Sequence, residues 1–154
     1  MDNLYFYDTN LGIIGIKDNN KAITEIFFSK DKIGDNIKET DLIKECFRQL
    51  KEYFGGTRKE FNVPIEVKGT EFQNKVWKAL LDIPYGETRS YKDIAIAVGN
   101  EKACRAVGMA NNKNPISIII PCHRVVGANG KLVGYGGGLD KKEKLLNIEK
   151  IDNK

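Results

Sequence analysis

Residues 90–112 read SYKDIAIAVGNEKACRAVGMANN, and this stretch decides the fold. Ser90 with Asp93 three residues on has the pattern of a capping box, and Tyr91, Ile94, Ala95 and Val98 then recur at the spacing of a buried helical face. Gly99-Asn100 breaks that helix. Asn100 is placed to cap a second one, whose inner face is expected to be Ala103, Ala106, Val107 and Ala110, with Arg105, Gly108, Met109 and Asn112 facing outward. Two short helices about a tight turn form the layout of a helix-turn-helix, in which the second helix meets DNA. Many proteins with no nucleic-acid partner share that layout. What singles this one out is Arg105, a lone cation among small or neutral side chains on a face that can approach a groove closely.

Working outward, Thr70-Glu71-Phe72-Gln73 is a further capping box, which predicts a helix from Glu71 through Val76, Trp77, Leu80 and Leu81 until Pro84 and Gly86 stop it. Nearer the N-terminus, Leu4 to Tyr7, Gly12 to Ile16 and Ala22 to Phe28 are aromatic or β-branched. Asp18-Asn19-Asn20 turns between the last two, so a small antiparallel meander is expected. Thr40 then caps a helix with Ile43, Cys46, Phe47, Leu50 and Phe54 on one face, ended by Gly55-Gly56. The expected class is α/β of the α+β kind. A small N-terminal antiparallel-sheet domain (1–65) precedes a mostly helical C-terminal domain (66–154) with the helix-turn-helix, and Gly55-Gly56 and Pro64 mark the connection.

Composition narrows the function classes. With 154 residues and 41% hydrophobic content the chain can bury a core, and its net charge of +4 permits a polyanionic partner without requiring one. No apolar run is long enough for a membrane span, and Met1 to Tyr7 lacks a signal-peptide pattern, so a cytoplasmic protein without a membrane partner is expected. Cys46, Cys104 and Cys122 are odd in number and unrelated in spacing, which argues against a disulfide framework. They and His123 also lack the short paired spacings of a zinc site, so no metal is expected.

The chemistry gathers near Cys122. Ile116 to Ile120 reads as a short buried strand that delivers Pro121-Cys122-His123-Arg124 at its end. A thiol needs a base or a positive field to ionise near neutral pH, and His123 is the only histidine in the chain. Adjacent side chains on an extended strand face opposite ways, so a bridging water is the expected link between the two. Asp140-Lys141-Lys142-Glu143 has the pattern of a capping box for a last helix, on which Glu149 shares a side with Leu145 and Leu146. Glu149 thereby becomes the candidate partner of His123. On local features alone such a pair is more often packing than catalysis, and a cysteine protease would need a histidine brought from elsewhere in the fold.

Pro121-Cys122-His123-Arg124-Val125 resembles the signature of the methylated-DNA-protein-cysteine methyltransferases, the O6-alkylguanine-DNA alkyltransferase family. Val76-Trp77, Ile83-Pro84-Tyr85-Gly86, Thr88, Ser90-Tyr91, Arg105-Ala106-Val107-Gly108, Asn114-Pro115, Gly134-Tyr135, Gly137-Gly138-Leu139 and Glu149 fall in the family's order and spacing. Together these cover roughly residues 70 to 150, whereas residues 1–69 resemble the family's N-terminal domain only loosely.

The resemblance implies single-turnover, irreversible transfer of an alkyl group from O6-alkylguanine, and from O4-alkylthymine, in double-stranded DNA to Cys122. It implies no cofactor, and a monomer. Catalytic roles follow by resemblance: Cys122 as acceptor, His123 as base through a water, Glu149 as the group that orients it, and Asn114 tying the active-site loop to the helix-turn-helix. Tyr91 would press on a phosphate and protonate the leaving purine. Arg105 would fill the space of the extruded base, on a DNA-facing surface with Ala106, Gly108 and Asn112. Pro121, Val125, Tyr135 and Gly136 would line the pocket for the flipped base. Met109, Asn112 and Gly136 depart from many relatives, which bears on affinity and on the size of alkyl group accepted. A non-enzymatic lesion-binding relative is the alternative, and those relatives lack the acceptor cysteine. A helix-turn-helix transcription regulator would instead select a sequence.

Overall fold

The computed structural model describes residues 2–29, 36–127, 130, 135 and 138–152. The chain forms two compact units, Met1–Val67 with Pro115–Ser117, and Lys68–Asn114 with Ile118–Lys154. The expected division at residues 65 and 66 contains no such excursion.

In the first unit β1 (Asn3–Thr9), β2 (Gly12–Asp18) and β3 (Ile23–Phe27) form the antiparallel meander, while β4 (Asn36–Ile37) adds to β1 in parallel, giving the order β3-β2-β1-β4. The sheet is therefore mixed. The parallel addition is held by Lys38 N–H to the Leu4 carbonyl at 3.0 Å and by Asn36 Nδ2 to Asn3 Oδ1 at 3.0 Å. Helix α1 (Asp41–Phe54) starts where Thr40 accepts the Ile43 N–H at 3.1 Å, and it buries Ile43, Cys46, Leu50 and Tyr53. Burial pushes the Cys46 thiol up to about 12, so this cysteine is an inert core residue.

The run Ile116 to Ile120 is not the continuous strand its composition suggests. Ile26 donates to the Pro115 carbonyl at 2.9 Å and accepts from Ser117 at 3.1 Å, which makes one bridge at Ile116. The chain then turns at Ile118, a buried β-branched residue with φ of 75°. Such a residue is strained in the left-handed region, by roughly 1–3 kcal/mol. Cys122 consequently lies in a 3-10 turn, Cys122–Arg124, and not at a strand end.

In the second unit both capping boxes form, at Thr70 for α2 (Glu71–Leu81) and at Ser90 for α3 (Tyr91–Ala97). Helix α4 (Cys104–Asn112) follows, and Trp77 Nε1 donates to its Ala110 carbonyl at 2.9 Å. Ile94, Ala95, Val107 and Ala110 make the buried faces. Four local expectations need correction. Asn100 does not cap α4: its side chain takes the Lys102 N–H at 3.2 Å, and Ala103 precedes the helix without a side-chain cap. Ala106 is exposed and not inward, because the short α4 buries only Val107, Ala110 and Asn111. Tyr91 and Val98 are half-buried. Helix α5 (Leu139–Asp152) begins one residue before Asp140, which is thus inside the first turn and cannot be its cap. Strands β5 (Arg89–Ser90) and β6 (Val125–Val126) pair in parallel next to the 3-10 turn. Among the described residues no helix is long and apolar enough to cross a membrane.

Candidate active site and nucleic-acid interface

Pro121 precedes the 3-10 turn, closed by Cys122 N–H to Ile120 O at 2.8 Å and Arg124 N–H to Pro121 O at 2.9 Å. The tight winding fans three successive side chains around one short axis. Cys122, His123 and Arg124 are all buried, at 4%, 0% and 7% exposure. Glu149 on α5, 1% exposed, gathers two of them. His123 Nε2 lies 2.6 Å from Glu149 Oε2, and Arg124 meets the same carboxylate at 2.9 Å (Nε to Oε1) and 3.2 Å (Nη2 to Oε2). The Gly86 N–H donates to Oε1 at 3.0 Å, while Arg124 Nη1 donates to the Ile83 carbonyl at 2.7 Å and the guanidinium lies over the Tyr85 ring.

A carboxylate facing a guanidinium and a backbone N–H is an acceptor, so His123 donates its Nε2–H and keeps Nδ1 as the acceptor nitrogen. Burial lowers the imidazole below its ordinary value, Glu149 opposes that, and the charges of Arg124 and Lys142 reinforce it. His123 is therefore neutral near neutral pH. Burial raises the Cys122 thiol, against which the Asn114 side chain, the Lys142 charge and Tyr135 work to lower it. Asn114 Nδ2 also donates to the Ile120 carbonyl at 2.7 Å, which fixes the segment that enters the turn.

Tyr91, the first residue of α3, is half-buried. Its phenol is raised by burial and by the charge of Cys122, which places the hydroxyl in electrostatic reach of the thiol. Its ring covers Gly108, where an added Cβ would stand 3.8 Å from Cε1. On α4, Arg105, Ala106, Met109 and Asn112 are exposed and Gly108 is half-buried, so the outward face is present with Ala106 added to it. Among the expected pocket residues Pro121 and Val125 are buried and Tyr135 is half-buried, while Gly136, with Gly134 and Gly137, lies outside the described residues. No group of three or more His, Cys, Asp or Glu among the described residues is arranged to hold a metal ion.

Three residues of the cluster have no role in the sequence reading. Arg124 stands in the quoted pentad, and its adjacency to His123 was the available signal. Lys142 lies seven residues before Glu149, a spacing that puts both on one helix face. Asn111, whose Nδ2 approaches the Cys122 carbonyl at 3.4 Å, gives no sequence signal beyond its place on α4.

Residues 71–151 match the family model described as 6-O-methylguanine DNA methyltransferase, DNA binding domain, and residues 4–67 match the 6-O-methylguanine DNA methyltransferase, ribonuclease-like domain. The chain is 49% identical over 148 residues to a methylated-DNA–protein-cysteine methyltransferase of Methanosarcina acetivorans, covering 93% of this chain and 95% of that one. It is 49% identical over 156 residues to the constitutive protein of that name from Bacillus subtilis, covering 96% and 94%. Among solved structures, Mycobacterium tuberculosis OGT in complex with DNA superposes with a TM-score of 0.92 at 43% identity, covering 97% of this chain and 94% of that one.

Proposed function

The chain belongs to the 6-O-methylguanine DNA methyltransferase family, and we propose that Cys122 is the thiol that accepts the alkyl group from O6-alkylguanine in duplex DNA. Its activity is direct-reversal DNA repair, in which an alkyl group passes from DNA to a cysteine of the protein itself. The observation that carries the assignment to Cys122 is its burial in one 3-10 turn with His123 and Arg124, both of which meet the buried Glu149, in the unit that also presents α4. Cys46 is buried in the other unit, and Cys104 is the half-buried first residue of α4.

The reacting carbon lies on a base within a stacked duplex, so the base must leave the stack before sulfur can attack in line. Arg105 fills the vacated space, and Tyr91 presses on the adjoining phosphate. The thiol proton passes through a water to His123 Nδ1, whose orientation is set by Glu149 at Nε2. The sulfur then forms the S–C bond as the C–O6 bond breaks and its electron pair stays on the purine. Tyr91 supplies the proton that the departing purine needs, and the proton held by His123 balances it. No cofactor takes part, because the purine leaving group already activates the alkyl carbon. A thioether is a very poor leaving group, so each molecule reacts once.

Intact-protein mass spectrometry after incubation with excess duplex carrying O6-methylguanine tests the reading. Each protein should gain one CH2, a methyl in place of the thiol proton, and repair should stop at one lesion per protein. Tight binding of the lesion with unchanged protein mass would instead identify a non-enzymatic lesion binder.

A further inference from the structure

Helix α4 presents a row of side chains that the reaction as described uses only in part. Val107, Ala110 and Asn111 are buried, which fixes the rotation of the helix and turns Arg105, Met109 and Lys113 outward, one turn apart on one face. All three are exposed, Met109 at 63%, and Lys113 is the C-cap residue. A single exposed apolar side chain is ordinary on a protein surface. Met109 differs in its setting: a cation stands one turn before it and another one turn after, with the small Ala106 and Gly108 beside it. The apolar surface of a protein partner would have to desolvate both charges to cover the methionine, whereas nucleic acid offers the cations a polyanion and the apolar tip a base face. At 1.5 Å per residue Met109 lies about 6 Å along the axis from each cation, more than one base-pair rise of about 3.4 Å. On a helix laid along a groove it therefore meets a different step from the one that Arg105 fills.

We propose that Met109 is a second wedge: it presses its thioether into the base step next to the one that Arg105 fills, while Lys113 holds the phosphate backbone beyond it. This rests on α4 as the face that meets DNA. An unbranched, polarisable side chain adapts its shape to whichever bases it meets. It has no hydrogen-bond donor and only a weak acceptor, so it loosens a step without reading its sequence, as a protein that selects a lesion requires. With the neighbouring step already parted, the guanine leaves the stack at lower cost. Met109 touches none of the reacting atoms, so it is a positioning residue.

The test is single-turnover repair, by the full chain, of duplex DNA carrying O6-methylguanine. Met109→Ala should react roughly ten-fold more slowly than the unaltered protein, and Met109→Leu, which keeps the apolar bulk, within about two-fold of it. The Met109→Ala deficit should shrink to about two-fold when the pair next to the lesion is mismatched, because that step is already loosened. An unslowed Met109→Ala protein, a Met109→Leu protein as slow as Met109→Ala, or a deficit that the mismatch leaves undiminished overturns the proposal. Arg105→Ala measured alongside separates the two readings. Slow repair by Arg105→Ala with normal repair by Met109→Ala removes only the wedge, whereas normal repair by both removes α4 from the DNA face. Contact itself is read by NMR: Met109 is the chain's one methionine besides Met1, so its ε-methyl signal is identified by its loss in Met109→Leu. In Cys122→Ser protein, which leaves the lesion in place, that signal should shift upfield with saturating damaged duplex, from the ring currents of the flanking bases. An unmoved signal overturns the proposal.

Discussion

Glu149 carries two tasks, and they separate in experiment. It faces the His123 Nε2–H, and it neutralises the buried guanidinium of Arg124 at 2.9 Å. Glu149→Gln keeps the shape but leaves Arg124 buried without its anion, which typically costs 3–5 kcal/mol. The urea unfolding midpoint should fall accordingly, and an unchanged midpoint would mean that the Arg124 contact contributes no stability. The same variant should repair slowly at neutral pH and recover partly as pH rises and thiolate forms unaided. His123→Ala should behave alike, and the double variant should be little worse than the poorer single one, because residues acting as a unit are not additive.

His123 also makes a stability prediction. Its folded pKa lies below the ordinary 6.5, so as pH falls through that value the unfolded chain takes up a proton that the folded one refuses. Stability should be fully present above about 6.5 and decline below it, and His123→Gln should remove that part of the slope in urea titrations at several pH values. The pairing of His123 with Glu149 is legible in the sequence because the chain has a single imidazole and an acid on a leucine face needs a partner. Arg124 and Lys142 are less so: their positions beside His123 and seven residues before Glu149 are visible, but a cation's burial is set by partners distant in sequence.

At the scale of elements, the two capping boxes at Thr70 and Ser90 are fully local, and both form as their sequences dictate. Asn100 and Asp140 carry the same chemistry without becoming caps: the Asn100 side chain takes the Lys102 N–H ahead of α4, and α5 starts one residue before Asp140. Ile116 to Ile120 misleads for another reason: hydrophobicity has no period that reveals a positive φ at Ile118. Helix α4 yields the test of the interface. Arg105 is exposed on its outward face, so Arg105→Ala should spare the fold. It should slow repair of duplex DNA far more than methyl transfer from free O6-methylguanine, since its proposed task is to hold the stack open. Equal losses on both substrates would place Arg105 in the pocket or the fold.

Across the whole molecule, a connecting stretch is legible from Gly55-Gly56 and Pro64, and the two units of the structure part after Val67. The excursion of Pro115–Ser117 to β3 and the parallel strand Asn36–Ile37 are not, because both depend on partners distant in sequence. A net charge of +4 together with an exposed Arg105 predicts that binding to undamaged duplex weakens linearly in log–log plots against salt, and insensitivity to salt would contradict an electrostatic docking face. The central claim concerns a single atom, Cys122 Sγ. Duplex DNA whose O6-methylguanine carries a deuterated methyl, incubated with the protein and followed by peptide mapping, tests it most directly. One labelled methyl on the Cys122 peptide, with label on Cys46 and Cys104 absent and lesions removed equal to protein present, is the predicted result. Label on either other cysteine, or more lesions repaired than protein molecules supplied, would contradict it.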